Sequence, residues 1–162
     1  MERIERTAIR NLIHNEQYCR KVLPFIKEEY FTDRLEKVLF TEIYKFVNKY
    51  NNLPTKESLS IEINGNKSIN EDEYKQVTDI LSTLNPEPVN LEWLVETTEK
   101  FCKDRSIHNA VLNGIQIIDG KDKNHTLEYL PELLSNALSV SFDQKVGHDY
   151  LLESKERYDY YN

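Results

Sequence analysis

The chain has 162 residues, a net charge of -7 at neutral pH and a mean hydropathy of -0.66, which fits one soluble domain able to bury about two-thirds of its unfolded surface. No run approaches the ~18 apolar residues of a membrane helix, and the charged start MERIERTAIRNL lacks the apolar centre of a signal peptide, so a cytoplasmic protein without a membrane partner is expected. Cys19 and Cys102 stand far apart without CxxC spacing, which argues against a disulfide framework or a zinc site, and the acidic balance, with no cluster of four or more Lys/Arg, disfavours direct nucleic-acid binding by this chain alone.

With four glycines and five prolines and apolar residues recurring at three-four spacing, an all-α fold is expected. Glu2 to His14 reads as a first helix with Ile4, Ala8 and Leu12 on one side. Asn15 caps a second, which carries Tyr18, Val22 and Phe25 into a turn around Pro24. Asp33 with Glu36 matches a capping box and opens a helix with the stripe Leu35, Val38, Leu39, Ile43, Phe46, Val47 and Tyr50, ended by Asn51-Asn52 and Pro54. Thr55 starts a short helix that stops at Asn64-Gly65. Asn70 with Glu73 makes another capping box, before a helix with Tyr74, Val77, Leu81 and Leu84 inward. The breaker-rich NPEPVN, Asn85 to Asn90, marks the boundary between a globular helical subdomain (1–89) and a helical hairpin (90–140).

Asn90 caps a run reaching almost to Gly120, with Leu94, Thr98, Phe101, Cys102, Ile107, Val111, Ile115 and Ile118 as its stripe. Glu96-Lys100 and Glu99-Lys103 are acid-before-base pairs at helical spacing. Asn113-Gly114 costs on the order of 1 kcal/mol of helix propensity, so the glycine either kinks the helix or admits another backbone. After DGKDKNH, the segment TLEYLPELLSNALSV returns as a helix with Pro131 in its first turn. A first arm about 40 Å long presents more apolar surface than one return helix covers. The stripe Val111, Ile115, Ile118 with Leu130, Leu133, Leu134 and Leu138 therefore predicts a two-fold contact with the same hairpin of another chain. Residues 141–162 read as a loop and the start of a linker helix. There Tyr150, Leu151, Tyr158 and Tyr161 share one side of a helix too short to stand alone, which predicts a docking groove outside the chain's own core.

Chemistry is sparse. Gly65, Gly114, Gly120 and Gly147 fit neither GxxxxGK[ST] nor GxGxxG, so no NTP-binding loop of either kind is present. His14, His108, His125 and His148 lie in four different segments with no HExxH, and there is no GxSxG elbow. Gly147-His148-Asp149 reads as the turn and first residues of a helix, the Asp suiting the helix dipole. Tyr18, Tyr44, Tyr50 and Tyr74 fall beside core aliphatics and read as core or interface rather than as base-stacking platforms. No catalytic, cofactor or metal residue is assigned.

The stretches EQYCRKVLPFIKEEYF, LPTKESLSI, WLVETTEKF and ALSVSFDQKVGHDY resemble, in order and spacing, the amino-terminal domain of the replicative helicases of T-even-type phages, in the DnaB-like group. The resemblance spans essentially the whole chain. It implies a hexameric, ATP- and Mg-dependent helicase moving 5′ to 3′ on the lagging strand in an infected bacterium. In that arrangement amino-terminal domains pair through hairpins into a collar, as a trimer of dimers. The collar contacts primase or a helicase loader, a linker helix crosses to a neighbour's motor, and DNA is engaged only through the full ring. No Walker motif occurs in these 162 residues, so no catalytic residue is carried over and no cofactor is expected in this chain. Two other readings stand beside this one: a stand-alone adaptor or loader protein that binds the helicase or single-stranded DNA, and a small helical metal-dependent enzyme.

Overall fold

Most helices begin where a short polar side chain accepts a free backbone N–H, which satisfies one of the donors that a helix start leaves unpaired. The computed structural model describes residues 2–142; the expectations for Gly147, His148, Asp149, Tyr150, Leu151, Tyr158 and Tyr161 lie outside them. Helices α1 (Ile4–His14) and α2 (Glu16–Val22) divide at Asn15, which accepts the Tyr18 N–H. Asp33 opens α3 (Arg34–Tyr50), and Asn51 ends it in the left-handed conformation at φ 55°. Thr55 with Ser58 and Asn70 with Glu73 form reciprocal capping boxes at α4 (Lys56–Asn64) and α5 (Glu71–Thr83). Asn90 caps α6 (Leu91–Ile118), and a 3-10 turn, Leu127–Tyr129, leads into α7 (Leu130–Leu138). A second such turn, Glu28–Tyr30, precedes α3. Among the described residues every regular element is helical, as the three-four spacing predicts.

One core joins these elements. Ile9 and Leu12 of α1, Tyr18 and Val22 of α2, Leu39 and Ile43 of α3, Leu59 and Ile63 of α4, and Val77 and Leu81 of α5 are buried together with Leu94 and Cys102 of α6. The first half of α6 is thus part of the body, and only its second half stands out beside α7. Arg105 Nε donates to the Tyr30 carbonyl at 3.2 Å and Asn109 Nδ2 to that of Glu29 at 3.1 Å, fastening α6 to the turn before α3.

Two local expectations are changed by tertiary partners. Asp33 accepts the Glu36 N–H, but the Glu36 carboxylate does not complete the box: it is fully buried and takes Arg3 and, at 2.9 Å, Arg6 Nε. A buried carboxylate needs countercharge more than a second cap, and the two arginines tie α1 to α3. Glu99 turns away from Lys103 to accept the Phe142 N–H and the Ser141 hydroxyl, while Lys100 pairs forward with Asp104 at 2.8 Å. Of the tyrosines read as core or interface, Tyr18 is core and Tyr74 half-buried, while Tyr44 and Tyr50 of α3 are exposed on the single chain.

The buried Tyr18 hydroxyl lies 2.7 Å from Thr98 Oγ1, which itself donates to the Leu94 carbonyl at 2.7 Å. Thr98 has one proton and uses it on Leu94, so Tyr18 is the donor between them. The two deletions are therefore unequal. Tyr18→Phe leaves every remaining group paired and is expected to lower stability by about 1 kcal/mol, whereas Thr98→Val strands a buried O–H and is expected to cost about 1–3 kcal/mol. Urea unfolding of the two variants checks the order; a Tyr18→Phe loss as large as that of Thr98→Val contradicts it.

Candidate interaction surface of the hairpin

The face of α6 that is covered changes along its length. Leu94, Thr98 and Cys102 enter the body core, while Ala110, Gly114 and Ile117 are buried against α7. By helical periodicity the second set lies roughly a third of a turn around from the first. Small residues let the two helices close: a Cβ on Gly114 would lie 2.9 Å from Leu130 Cδ1, and Ala110 and Ala137 are buried. Gly114 neither breaks nor caps α6, which runs through it. Its role is close approach, made by the Leu130 side chain rather than by backbone.

The two edges of this hairpin differ. One edge, with Lys27 and Glu29 of the body, forms a polar groove of about 280 Å3, where Asn109 and Asn113 of α6 meet Tyr129, Leu133 and Asn136 of α7. The other edge is apolar. Val111, Ile115 and Ile118 are 48%, 45% and 62% exposed and Leu138 61%, too much for residues that belong to a finished interior. On α6, Val111, Ile115 and Ile118 lie on average a little over a third of a turn around from Arg105 and Asn109, which grip the body. Leu134 and Leu138 continue this edge on α7, Leu134 half-buried. Leu130 is half-buried against Gly114. Leu133, also half-buried, sits on the groove edge. Leu112 and Leu127 are also exposed, at 50% and 60%, and Leu112 borders Glu29, Lys37, Asn109 and Asn113 rather than the apolar row. Sequence reasoning passed over both, Leu112 because it falls beside the three-four stripe and Leu127 because it lies in the turn.

Chemistry at other places resolves into structure. His14 Nε2 contacts the Leu84 carbonyl at 2.6 Å, and His125 stacks on Tyr129 and meets Asp122 at 3.1 Å. Among the described residues no group of three or more His, Cys, Asp or Glu side chains could hold a metal ion, and no helix is long and apolar enough to cross a membrane. The described glycines do not suit a nucleotide phosphate: Gly65 ends α4, Gly114 lies under Leu130, and Gly120 makes the left-handed turn after α6 at φ 73°.

Burial raises the Cys19 thiol to about 11 and the Cys102 thiol to about 12, so both stay protonated near neutrality and neither is an activated nucleophile. With Ellman's reagent at pH 8 the native protein is expected to show almost no thiol release, and denaturant is expected to bring both cysteines into reaction. Rapid stoichiometric modification of the folded chain contradicts this placement.

No protein-family model matches the chain. It is similar to a protein described as "DnaB-like replicative helicase" from Enterobacteria phage T4, with 32% identity over 156 residues, covering 91% of this chain and 33% of that protein. The chain thus spans about a third of the length of the curated relative it matches. A match of that extent is consistent with an amino-terminal domain and agrees with the resemblance read from the sequence: the chain is similar to a DnaB-like replicative helicase of a T-even-type phage.

Proposed function

We propose that this chain acts as the collar domain of a replicative helicase, pairing with a second copy through the outer edge of its hairpin. The observation that supports this reading most is the apolar row Val111, Ile115, Ile118 and Leu138, exposed on the hairpin edge across from the polar groove. A single exposed aliphatic residue is ordinary, whereas several in register on paired helices form the kind of patch that marks an interface. A two-fold contact suits it, because an antiparallel helical pair offers its partner the same edge that it receives. Pairs of such domains would build a hexameric ring as a trimer of dimers, and the ring would present surfaces to primase or a loader. ATP, Mg and the DNA strand would be handled by a motor outside these residues, since none of the described glycines suits a nucleotide. A stand-alone adaptor or loader would use the same apolar edge on a different partner. The metal-dependent enzyme has no ligand cluster among the described residues to support it.

Ile115→Arg tests the pairing. It sits on the exposed edge and leaves the Ala110, Gly114 and Ile117 contact untouched, so the fold is expected to survive. Burying an unpaired cation in an interface costs several kcal/mol, enough to convert a dimer into monomer at micromolar concentration. Light scattering over a concentration series is expected to show dimer for the natural sequence and monomer for the variant, with unchanged circular dichroism. Equal masses for both folded proteins would remove the hairpin edge as the contact.

A further inference from the structure

Helix α7 has nine residues, fewer than the roughly 12–15 that a helix needs to persist alone in water. Its main helical partner is α6, and it meets that partner where α6 has already left the body. The chain leaving α7 returns to the body at once. The Glu99 carboxylate on α6 accepts the Phe142 N–H at 2.9 Å and the Ser141 hydroxyl at 3.1 Å through the same oxygen. The Phe142 ring stacks on Phe25, just beyond α2, with centroids 5.0 Å apart and planes at 21°. Val140 and Phe142 both pack on the body core. Two unlike contacts hold this short segment, the charge-assisted one at Ser141 and Phe142 and the aromatic one at Phe142. Helix α6 does not depend on them, because Arg105 and Asn109 fasten it separately.

We propose that Ser141–Phe142 is a latch that locks the return arm of the hairpin to the body, so that opening it loosens α7 while α6 stays in place. The latch lies between the hairpin and the chain beyond Phe142. A pull on that chain therefore reaches α7 only after the Glu99 and Phe25 contacts yield. A restraint of this kind is a two-state element: closed, it completes the edge formed by Leu134 and Leu138; open, it leaves α6 with an unsupported partner. The inference does not rest on self-association, and it applies to a single copy of the chain.

The test is amide hydrogen exchange on the whole chain carrying Glu99→Ala, Phe142→Ala or both, at concentrations where all variants have the same mass. Either single change is expected to speed exchange at Leu134 to Leu138 on the order of tenfold, the loss of one well-placed contact. Rates in α1 to α3 and from Leu94 to Asn109 are expected to stay at their natural values. The double variant is expected to exchange little faster than the more severe single, since both open one latch. If only the Phe142 amide accelerates and Leu134 to Leu138 keep their natural rates, the contact is local and the latch is overturned. Should Glu99→Ala also loosen α1 to α3, Ser141→Ala replaces it beside Phe142→Ala, and unchanged α7 exchange in both overturns the proposal equally.

Discussion

The length of α6 against the length of the helix that packs on it governs the rest of the molecule. Twenty-eight residues of helix extend about 42 Å, and the nine residues of α7 about 14 Å. The body covers the first half of α6 through Leu94, Thr98 and Cys102, and α7 covers one narrow face of the second half through Ala110, Gly114 and Ile117. Neither covers the side that carries Val111, Ile115 and Ile118. That side is apolar, and the chain has no further described element to lay over it. The proposed pairing arises from this mismatch between the apolar surface built and the cover supplied.

Such a projecting element needs a rigid root. Arg105 and Asn109 hold α6 to the carbonyls of Tyr30 and Glu29, and the Tyr18–Thr98 bond crosses the core between α2 and α6. Elsewhere in the body, the buried Glu36 draws Arg3 and Arg6 onto α3. The body is therefore tied by polar groups whose partners are distant in sequence, around a core of aliphatic and aromatic side chains. This division leaves the second half of α6 free to present a surface without disturbing the packing beneath it.

Much of the fold is legible in the sequence because helix starts are written in single residues. Asn15, Asp33, Thr55, Asn70 and Asn90 each cap a helix at the expected place, and the apolar spacing marks the buried faces of α1 to α5. The rest depends on partners that spacing does not reveal. Glu36 has the position of half a capping box, but Arg3 and Arg6 claim it, and Glu99 has the spacing of an exposed pair with Lys103, but the returning chain reaches it. The α6 stripe reads as one continuous face because a helix carries no mark showing where its neighbour changes from body to α7. For the same reason Leu133 groups by spacing with Leu130 and Leu134, although it borders the polar groove. Tyr44 and Tyr50, read as core or interface, are exposed on the single chain, because helical spacing alone does not separate the two.

The central claim is that the apolar edge of one hairpin meets the same edge of another. A photo-crosslinking residue placed at Ile118, which is 62% exposed, tests it most directly on the folded, assembled protein. The account predicts covalent dimers whose cross-linked peptides map to residues 107–138 of the second copy, at Val111, Ile115, Leu134 or Leu138. Cross-links that map instead to α1 to α5, or no covalent dimer from a preparation that scatters light as a dimer, would contradict it.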